Sequence, residues 1–218
     1  MSGAAFHVKH FDREALAQFG VSRETIARLE IYVALVLRWS PVIRLISRRD
    51  EAFVWQRHVL DSLQILPFLR ELAPPAADFG SGGGFPGLAL AIALDQPFHL
   101  IESDTRKAAF LIEAARATGA TVSVHPQRIE AVALPPLRLI TSRGLAPLGA
   151  LLALAAPKLA PDGLCLFYKG RNAPVELTAA RHQWQMKVVC HPSRTDPSGT
   201  ILQISGVTRA RPLQCPSA

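Results

Sequence analysis

The chain has 218 residues and a formal net charge of +7, and 49% of its residues are hydrophobic while 19% are charged. This composition excludes a disordered chain and fits one α/β domain with a modest extension. The charge indicates an anionic partner, nucleic acid first, and fits equally well a basic protein whose charges are only solvated. Wide spacing excludes a disulfide framework and a zinc site for the three cysteines, which are Cys165, Cys190 and Cys215.

The first 20 residues, MSGAAFHVKHFDREALAQFG, lack the apolar stretch of a signal peptide. The longest uncharged run, residues 144–157, is interrupted by proline and glycine and is too short to span a bilayer. We therefore expect a cytoplasmic protein that does not enter a membrane. Without a heptad pattern in the sequence, a monomer is the expected state.

Two predicted helices begin the chain. The first starts after Ser22, a good N-cap, and repeats apolar residues at helical spacing as far as Pro41. The second covers about residues 52–69. Its apolar face is formed by Phe53, Val59, Leu63 and Leu66. The pair Pro74-Pro75 marks the end of this N-terminal helical segment, for which we predict the bounds 1–73.

From residue 74 short apolar runs alternate with helical patterns. The predicted strands are AADF, FHLIES, TVSVH, LRLITS and GLCLFYKG, and WQMKVVCH and GTILQISGV close the domain. Strands that alternate with helices of crossover length require a mostly parallel sheet covered on both faces. We expect this domain to span residues 74–208 and residues 209–218 to form a flexible tail.

A cluster of glycines lies between the first strand and the next helix, in DFGSGGGFPGLALAIAL, residues 78–94. Glycine has no Cβ, so the backbone can turn tightly there and lie against a ligand. Glu102 ends the next strand, 24 residues after Asp78. A carboxylate at that place is the usual partner of ribose hydroxyls. The sequence therefore predicts a nucleoside site at this edge of the sheet.

Two cofactors fit these glycines. Gly82, Gly84 and Gly87 spell G-x-G-x-x-G, the dinucleotide fingerprint of a nucleotide-dependent oxidoreductase. Gly80, Gly82 and Gly84, preceded by Asp78, instead spell the acidic G-x-G-x-G pattern typical of S-adenosylmethionine sites. We favour the second interpretation because a carboxylate repels a pyrophosphate, whereas the methionine end of S-adenosylmethionine carries a sulfonium and an ammonium.

Six segments, shared in order and spacing, resemble the ribosomal RNA small subunit methyltransferase G family, also called glucose-inhibited division protein B. They are RHVLDSL (57–63), DFGSGGGFPGL (78–88), LIESDTRKAAFL (100–111), QRIEAV (127–132), SRGLAPL (142–148) and YKG (168–170). The resemblance covers about residues 52–170. It implies a class I (Rossmann-like) S-adenosylmethionine-dependent methyltransferase fold, with a seven-stranded mostly parallel sheet and an N-terminal helical extension.

The resemblance also implies methylation of guanine N7, at position 527 in standard numbering, in the 16S ribosomal RNA of the small subunit. Guanine N7 has a lone pair in the ring plane, so no base has to remove a proton, and holding the reactants in line is the main requirement. The catalytic candidates Arg143 and Lys169 are therefore expected to position groups, and neither a triad nor a metal is expected. A non-catalytic RNA-binding or ribosome-assembly factor is the alternative from another class.

The resemblance assigns S-adenosylmethionine to residues around the glycine loop. Glu102 would hold its ribose, Ile129 and Glu130 would flank its adenine, and Arg143 would lie at the cofactor or target pocket. The alternatives are a solvated carboxylate for Glu130 and an ordinary core aromatic for Phe85. The complete predicted cofactor set is Asp78, Gly80, Ser81, Gly82, Gly84, Phe85, Glu102, Ile129, Glu130 and Arg143.

Basic residues recur in the loops after the predicted strands, where they favour phosphate contacts over the alternative of solubilising surface charge. The predicted RNA-binding set is Arg106, Lys107, Arg128, Lys169 and Arg171. For Lys107, a position on the outer face of the following helix is an alternative that fits the sequence equally well. With only 7% aromatic residues, the chain is better suited to one flipped-out guanine than to stacking a long single strand.

The segment RHVLDSL contains His58, Asp61 and Ser62 within one and a half helical turns. One interpretation is a His-Asp pair that activates a serine nucleophile. Adjacent helical turns give poor triad geometry, and Ser62 lacks a nucleophile elbow. We therefore favour structural support, as a buried polar bridge between the helical segment and the glycine loop, over the alternative of a wall of the site.

Overall fold

The computed structural model of the protein describes residue 16 and residues 19–69 and 74–210. Helix α1 (Arg23–Ile43) begins as predicted, with the Ser22 hydroxyl accepting a hydrogen bond from the Thr25 N–H at 3.1 Å. It ends two residues beyond Pro41, because that proline lies in the last turn and the Arg44 N–H still donates to the Ser40 carbonyl. Among the described residues no helix is both long and apolar enough to cross a membrane.

Four short pieces of helix of different pitch cover the region predicted as one helix over 52–69. They are the 3₁₀ turn Glu51–Phe53, the π-helix Trp55–Leu60, the α-helical turn Asp61–Leu63 and the 3₁₀ turn Leu66–Phe68. The change of pitch alters the angle between successive side chains. Val59, Leu63 and Leu66 are buried as predicted, whereas Phe53 is 38% exposed.

A seven-stranded sheet follows, in the order β3-β2-β1-β4-β5-β7-β6. Its strands are β1 (Ala76–Phe79), β2 (Phe98–Ile101), β3 (Val122–His125), β4 (Leu137–Arg143), β5 (Leu159–Lys169), β6 (Trp184–Pro192) and β7 (Thr200–Arg209). The first five strands pair in parallel, and β7 is antiparallel to both β5 and β6. The prediction of a mostly parallel sheet with a helical extension is confirmed.

Helices cover both faces of the sheet. The remaining helices are α2 (Gly87–Leu94), α3 (Thr105–Thr118), α4 (Leu148–Ala155) and α5 (Ala173–Arg181). Apolar residues of α1, α2 and α3 form one core with one face of the sheet, and those of α4 and α5 form a second core with the other face. Side chains of β5 alternate between these cores, with Leu166 in the first and Phe167 in the second, because successive residues of a strand point to opposite faces.

The last strand reaches Arg209, where we had expected a tail to begin. Arg209 pairs with Trp184 across the β6–β7 ladder, and its guanidinium carbon lies 4.1 Å from the centre of the indole ring. Residues 211–218 lie outside the described residues, as do residues 1–15. The division at residues 73 and 208 stays a prediction.

One buried hydroxyl joins α1 to the glycine loop. The Tyr32 hydroxyl donates a hydrogen bond to the Gly83 carbonyl, and the Tyr32 and Phe85 rings lie 4.9 Å apart. The N-terminal helix is thereby packed directly behind the loop that precedes α2.

We expect Tyr32→Phe to lower the free energy of unfolding by about 1–3 kcal/mol, because the buried Gly83 carbonyl loses its donor. Urea unfolding measures the change, and the denaturant slope should not move. As a control, Thr178→Ala removes an exposed hydroxyl and should shift stability by less than about 0.5 kcal/mol. Equal stability of Tyr32→Phe and wild type would contradict this role.

Candidate active site

A cavity of about 610 Å³ opens at the carboxyl ends of β1, β2 and β4. This is where the order of the sheet reverses, since β2 and β4 leave β1 on opposite sides. Its lining residues include Gly80, Ser81, Gly82, Phe85, Glu102, Lys107, Arg128, Ile129, Glu130 and Arg143. The fold therefore gathers at one place most of the residues that the sequence predicted as a cofactor site.

The glycine loop has the backbone conformation that its sequence predicts. Gly80, Gly82 and Gly84 all have positive φ, at 69°, 55° and 92°. The N–H groups of Gly80 and Ser81 both donate to the Ile101 carbonyl, at 2.9 and 3.0 Å, which ties the loop to the end of β2. The loop is thus held open beside the cavity by backbone contacts.

Gly84 differs from the other two glycines in what it faces. It is absent from the cavity lining, and a Cβ at this position would lie 2.6 Å from the Tyr32 hydroxyl and 3.0 Å from Leu88 Cβ. Its small size therefore serves close packing against α1 and α2. Contact between the Gly84 backbone and the cofactor stays a prediction.

Glu102 lies at the end of β2, facing the glycine loop. The residue is 8% exposed, and its carboxylate accepts hydrogen bonds from the N–H groups of Gly82 and Asp104, both at 2.8 Å. Each N–H binds a different carboxylate oxygen, so each oxygen keeps acceptor capacity. A fixed carboxylate therefore contributes to the wall of the cavity.

Asp78, predicted to face the cofactor, lies beneath the loop and not in the cavity wall. It is 1% exposed, and the Thr141 hydroxyl donates to its Oδ1 at 2.7 Å. Burial raises the pKa of Asp78 to about 6, against the opposing effect of the Thr141 hydrogen bond. Its second oxygen, Oδ2, accepts no hydrogen bond from the described residues. Asp78 is a buried support of the strand end in this arrangement.

The predicted basic residues separate into two groups. Lys107 and Arg128 line the cavity, close to the 3₁₀ turn that carries Ile129 and Glu130. Arg106 is outside the cavity wall and forms an exposed ion pair with Asp104 at 3.2 Å, in the first turn of α3. Arg171 is exposed and lies outside the lining as well.

Lys169 is occupied by neighbouring groups. Its ammonium lies 2.7 Å from a Glu176 carboxylate oxygen and donates to the Ala146 carbonyl at 2.6 Å, and the side chain is 7% exposed. The same Glu176 oxygen accepts from the Leu148 N–H at 2.7 Å, at the start of α4. Lys169 thus fixes the loop after β4, and its contact with RNA or the reacting atoms stays a prediction.

Arg143, the last residue of β4, is held from the N-terminal helical segment. Its Nη1 donates to Asp61 Oδ2 at 2.9 Å and to the Arg57 carbonyl at 3.0 Å, and its Nη2 lies 2.8 Å from His58 Nδ1. The guanidinium carbon lies 5.5 Å from the centre of the Phe85 ring. These contacts fix the guanidinium at the edge of the cavity.

His58 serves as a neutral acceptor. Burial, and then the Arg143 charge, lower its pKa to about 3. A guanidinium can only donate, so Nδ1 must accept and the proton is assigned to Nε2, which lies 3.8 Å from Asp50 Oδ2. The imidazole also stacks on Phe85, with ring centres 5.0 Å apart. His58 therefore has a polar contact with the end of β4 and a ring contact with the glycine loop.

The alternative of a serine nucleophile is not supported. The Ser62 hydroxyl is buried and donates to the His58 backbone carbonyl at 2.6 Å, so it does not contact the imidazole. Within residues 19–69 and 74–210, together with residue 16, no three His, Cys, Asp or Glu side chains are grouped as metal ligands would be.

Some cavity residues carried no signal in the sequence. Leu145 is 40% exposed and lies over Gly80, where an added Cβ would approach its Cδ1 to 2.7 Å. Leu45 follows the left-handed end of α1 and joins the cavity wall from the N-terminal segment. Gln127 and Ser103 complete the wall beside the predicted residues. Apolar and small polar loop residues are common everywhere, so only the fold distinguishes these.

The donor set of the cavity fits S-adenosylmethionine. The positive-φ turn at Gly80 and Gly82 exposes backbone next to the cavity, and the fixed Glu102 carboxylate is suited to sugar hydroxyls. Together with the strand order, this cavity defines the class: a Rossmann-like methyltransferase fold. Two solved structures share that fold, a ribosomal protein L11 methylase from Lactobacillus delbrueckii and a TehB-like SAM-dependent methyltransferase from Corynebacterium glutamicum.

The L11 methylase has a TM-score of 0.53 and 19% sequence identity to this chain, and the match covers 68% of this chain and 78% of the methylase. The TehB-like methyltransferase has a TM-score of 0.51 and 16% sequence identity, and the match covers 69% of this chain and 88% of that protein. The family model for rRNA small subunit methyltransferase G matches residues 25–198. A ribosomal RNA small subunit methyltransferase G from Rhodospirillum centenum is 53% identical over 191 residues, which is 88% of each chain. The chain belongs to the rRNA small subunit methyltransferase G family.

The buried Asp78 predicts a pH dependence of stability. Its pKa in the folded protein, about 6, lies above the ordinary 3.8, so the folded state binds the proton more tightly. The contribution of Asp78 to the free energy of unfolding is therefore largest below about pH 4. It falls by up to about 3 kcal/mol as the pH rises through 6.

Asp78→Asn should remove this fall. Urea unfolding between pH 4 and 8 should show the variant gaining on wild type as the pH rises. The exposed Asp162→Asn serves as the control and should run parallel to wild type. Parallel curves for Asp78→Asn would show that Asp78 is ionised in the fold at an ordinary pKa.

Proposed function

We propose that the protein transfers the methyl group of S-adenosylmethionine to N7 of a guanine in 16S ribosomal RNA, at the position that the family resemblance implies, 527 in standard numbering. The observation that carries the proposal is the Glu102 carboxylate, fixed opposite the glycine loop in a chain of this family. The relatives' printed name, small subunit methyltransferase, supports ribosomal RNA as the substrate.

The cofactor would be held along the first cavity. The backbone at Gly80 and Gly82 would contact its methionine end, Glu102 its ribose, and Ile129 with Glu130 its adenine. Phe85, which packs between Tyr32 and His58, supports the cavity from behind. When bound, S-adenosylmethionine supplies an electrophilic methyl group.

The residues around this cavity are suited to orientation without proton transfer. His58 accepts from Arg143 and stays neutral, so it has no free lone pair on Nδ1 to act as a base. Guanine N7 needs no base, since its lone pair already lies in the ring plane. The role left to the chain is to hold the acceptor in line and to stabilise positive charge as it moves onto the purine.

The basic residues nearest the cavity would contact the RNA backbone. Lys107 and Arg128 line the cavity and are the strongest candidates, whereas Arg106 and Arg171 lie outside its wall and would contact more distant phosphates. The net charge of +7 supports such contacts. One copy of the chain contains the whole cavity, which is consistent with action as a monomer on the small subunit in the cytoplasm.

The oxidoreductase alternative loses its support once the glycines are placed. Of its three fingerprint residues, Gly84 packs against Tyr32, and a Cβ on Gly87 would lie 2.7 Å from Leu100 Cδ2. Packing at Gly87 fits either interpretation, because the third fingerprint glycine serves close helix–strand packing, whereas Gly84, the second, would have to approach the pyrophosphate. A non-catalytic assembly factor stays a distinct candidate, and a methylation assay distinguishes it.

The proposal is tested with small ribosomal subunits from a strain that lacks this methylation. Purified protein and S-adenosylmethionine should add one methyl group, which mass spectrometry of nuclease fragments should map to guanine N7. A methyl group on another base or atom would overturn the assignment of the target. Tight binding to the subunits without any methyl transfer would favour the assembly factor.

Two variants should separate cofactor binding from methyl transfer. Glu102→Gln replaces an acceptor of two N–H groups by an amide, and should weaken S-adenosylhomocysteine binding by about 10-fold or more. Arg143→Gln keeps a donor for Asp61 but loses the other contacts, and methyl transfer should fall by about 100-fold, a larger effect than that on S-adenosylhomocysteine binding.

Calorimetry measures the first quantity and methyl incorporation into small subunits the second. The matched controls are exposed members of surface ion pairs, Glu113→Gln and Arg138→Gln, and neither should change either quantity. If Glu102→Gln bound S-adenosylhomocysteine as tightly as wild type does, the proposal that Glu102 holds the ribose would be wrong.

A further inference from the structure

A second cavity, of about 240 Å³, begins on the other side of Arg143 and Gly144 from the first. We call it the acceptor cavity. Its remaining lining residues are Asp61, Tyr168, Lys169, Gly170, Ser193, Asp196, Gly199, Thr200 and Ile201. It lies between the end of β4, the end of β5 and the loop 193–199 that joins β6 to β7. Its volume is below the roughly 300 Å³ of small ligand pockets, which suits a single base better than a whole nucleotide.

We propose that the acceptor cavity receives the target guanine and that Asp196 selects guanine by accepting hydrogen bonds from its N1–H and N2 amino groups. This inference rests on the proposed function and specifies how that site recognises its substrate. A methyl transfer in line requires the acceptor to approach from the side of the methyl group opposite to sulfur. A cavity that shares the Arg143–Gly144 wall with the cofactor cavity offers such an approach.

Asp196 is held ready to accept. Its Oδ1 takes hydrogen bonds from the N–H and hydroxyl of Ser198, both at 2.9 Å, and its Oδ2 takes none from any described residue. The Asp196 N–H donates to the Ser193 hydroxyl, and the Asp196 carbonyl accepts from the Gly199 N–H at 2.8 Å. Hydrogen bonds from Ser198 lower the pKa of Asp196, so the side chain is a carboxylate at neutral pH.

The other charged groups of the acceptor cavity are already committed. Asp61 Oδ1 accepts from Gln64 Nε2 at 2.7 Å and from the Thr195 hydroxyl at 2.5 Å, while Asp61 Oδ2 accepts from Arg143. Lys169 is bound to Glu176 and to a backbone carbonyl. Asp196 is therefore the carboxylate of this cavity with an oxygen that accepts no hydrogen bond from a described residue.

Arg143 contributes the complementary donors. A guanidinium has five N–H groups, and contacts with Asp61, Arg57 and His58 use three of them. The remaining two are available for the guanine O6, the acceptor that arginine recognises most often. A donor beside O6 and an acceptor beside N1 and N2 match guanine and oppose adenine, which presents a donor at C6 and a lone pair at N1.

The same carboxylate favours the chemical step. Methylation of N7 leaves a positive charge on the purine, so an anion on its opposite edge interacts more strongly with the product than with the substrate. Replacing Asp196 should therefore reduce the rate of transfer as well as the selection of guanine.

The test uses Asp196→Asn, which keeps the size of the side chain and an acceptor for Ser198 but presents an amide. Substrates are small subunits reconstituted with guanosine or with inosine, which lacks the N2 amino group, at the methylated position. For wild type we expect kcat/KM to fall about 10- to 100-fold on inosine. On guanosine, Asp196→Asn should show a loss of similar size. When Asp196→Asn acts on the inosine subunits, the total loss in kcat/KM should be smaller than the product of the two separate losses.

Binding of S-adenosylhomocysteine to Asp196→Asn should match wild type, which verifies the fold, and the exposed Asp162→Asn should behave as wild type throughout. Equal rates of wild type on inosine and guanosine, or fully multiplicative losses, would overturn the role of Asp196. Failure of wild type to methylate the guanosine subunits at all would instead overturn the proposed function.

Discussion

The structure depends on one guanidinium. Arg143 ends β4 and is bound by three groups of the N-terminal helical segment, the His58 imidazole, the Asp61 carboxylate and the Arg57 carbonyl. Because a guanidinium only donates, the His58 nitrogen that faces it must be unprotonated. The lowered pKa of His58 meets that condition, and Gln64 and Thr195 hold the other oxygen of Asp61 in place. The helical segment therefore fixes the Arg143 side chain, which forms part of the wall that the two cavities share.

Much of the fold and the first cavity could be predicted from the sequence, because local patterns determine them. Alternating apolar residues define the strands, Ser22 begins α1, and Gly119 ends α3 in the left-handed conformation. The glycines after β1 and the acidic residue after β2 both lie where their spacing indicated. Their positions follow from neighbours within the same strand–turn–helix unit, so no long-range contact had to be known.

The parts that could not be predicted depend on partners far away in the chain. Lys169 lies in a motif and has the charge of an RNA ligand, yet Glu176 and the Ala146 carbonyl bind it. Asp78 precedes the glycines, yet the register of β1 with β4 places it against Thr141 beneath the loop. The region 51–68 changes between 3₁₀, π and α pitch, and in it Phe53 is exposed while His58 stacks on Phe85. Residue type and spacing carry no information on such pairings.

The loop between β6 and β7 has a consequence for the order in which the protein is made. Thr195 binds Asp61 from 134 positions further along the chain, and the Arg194 N–H binds the Gln64 side chain. A nascent chain that has emerged only as far as β5 lacks these hydrogen bonds. Asp61 and Gln64 therefore obtain these partners only after the loop between β6 and β7 has been synthesised.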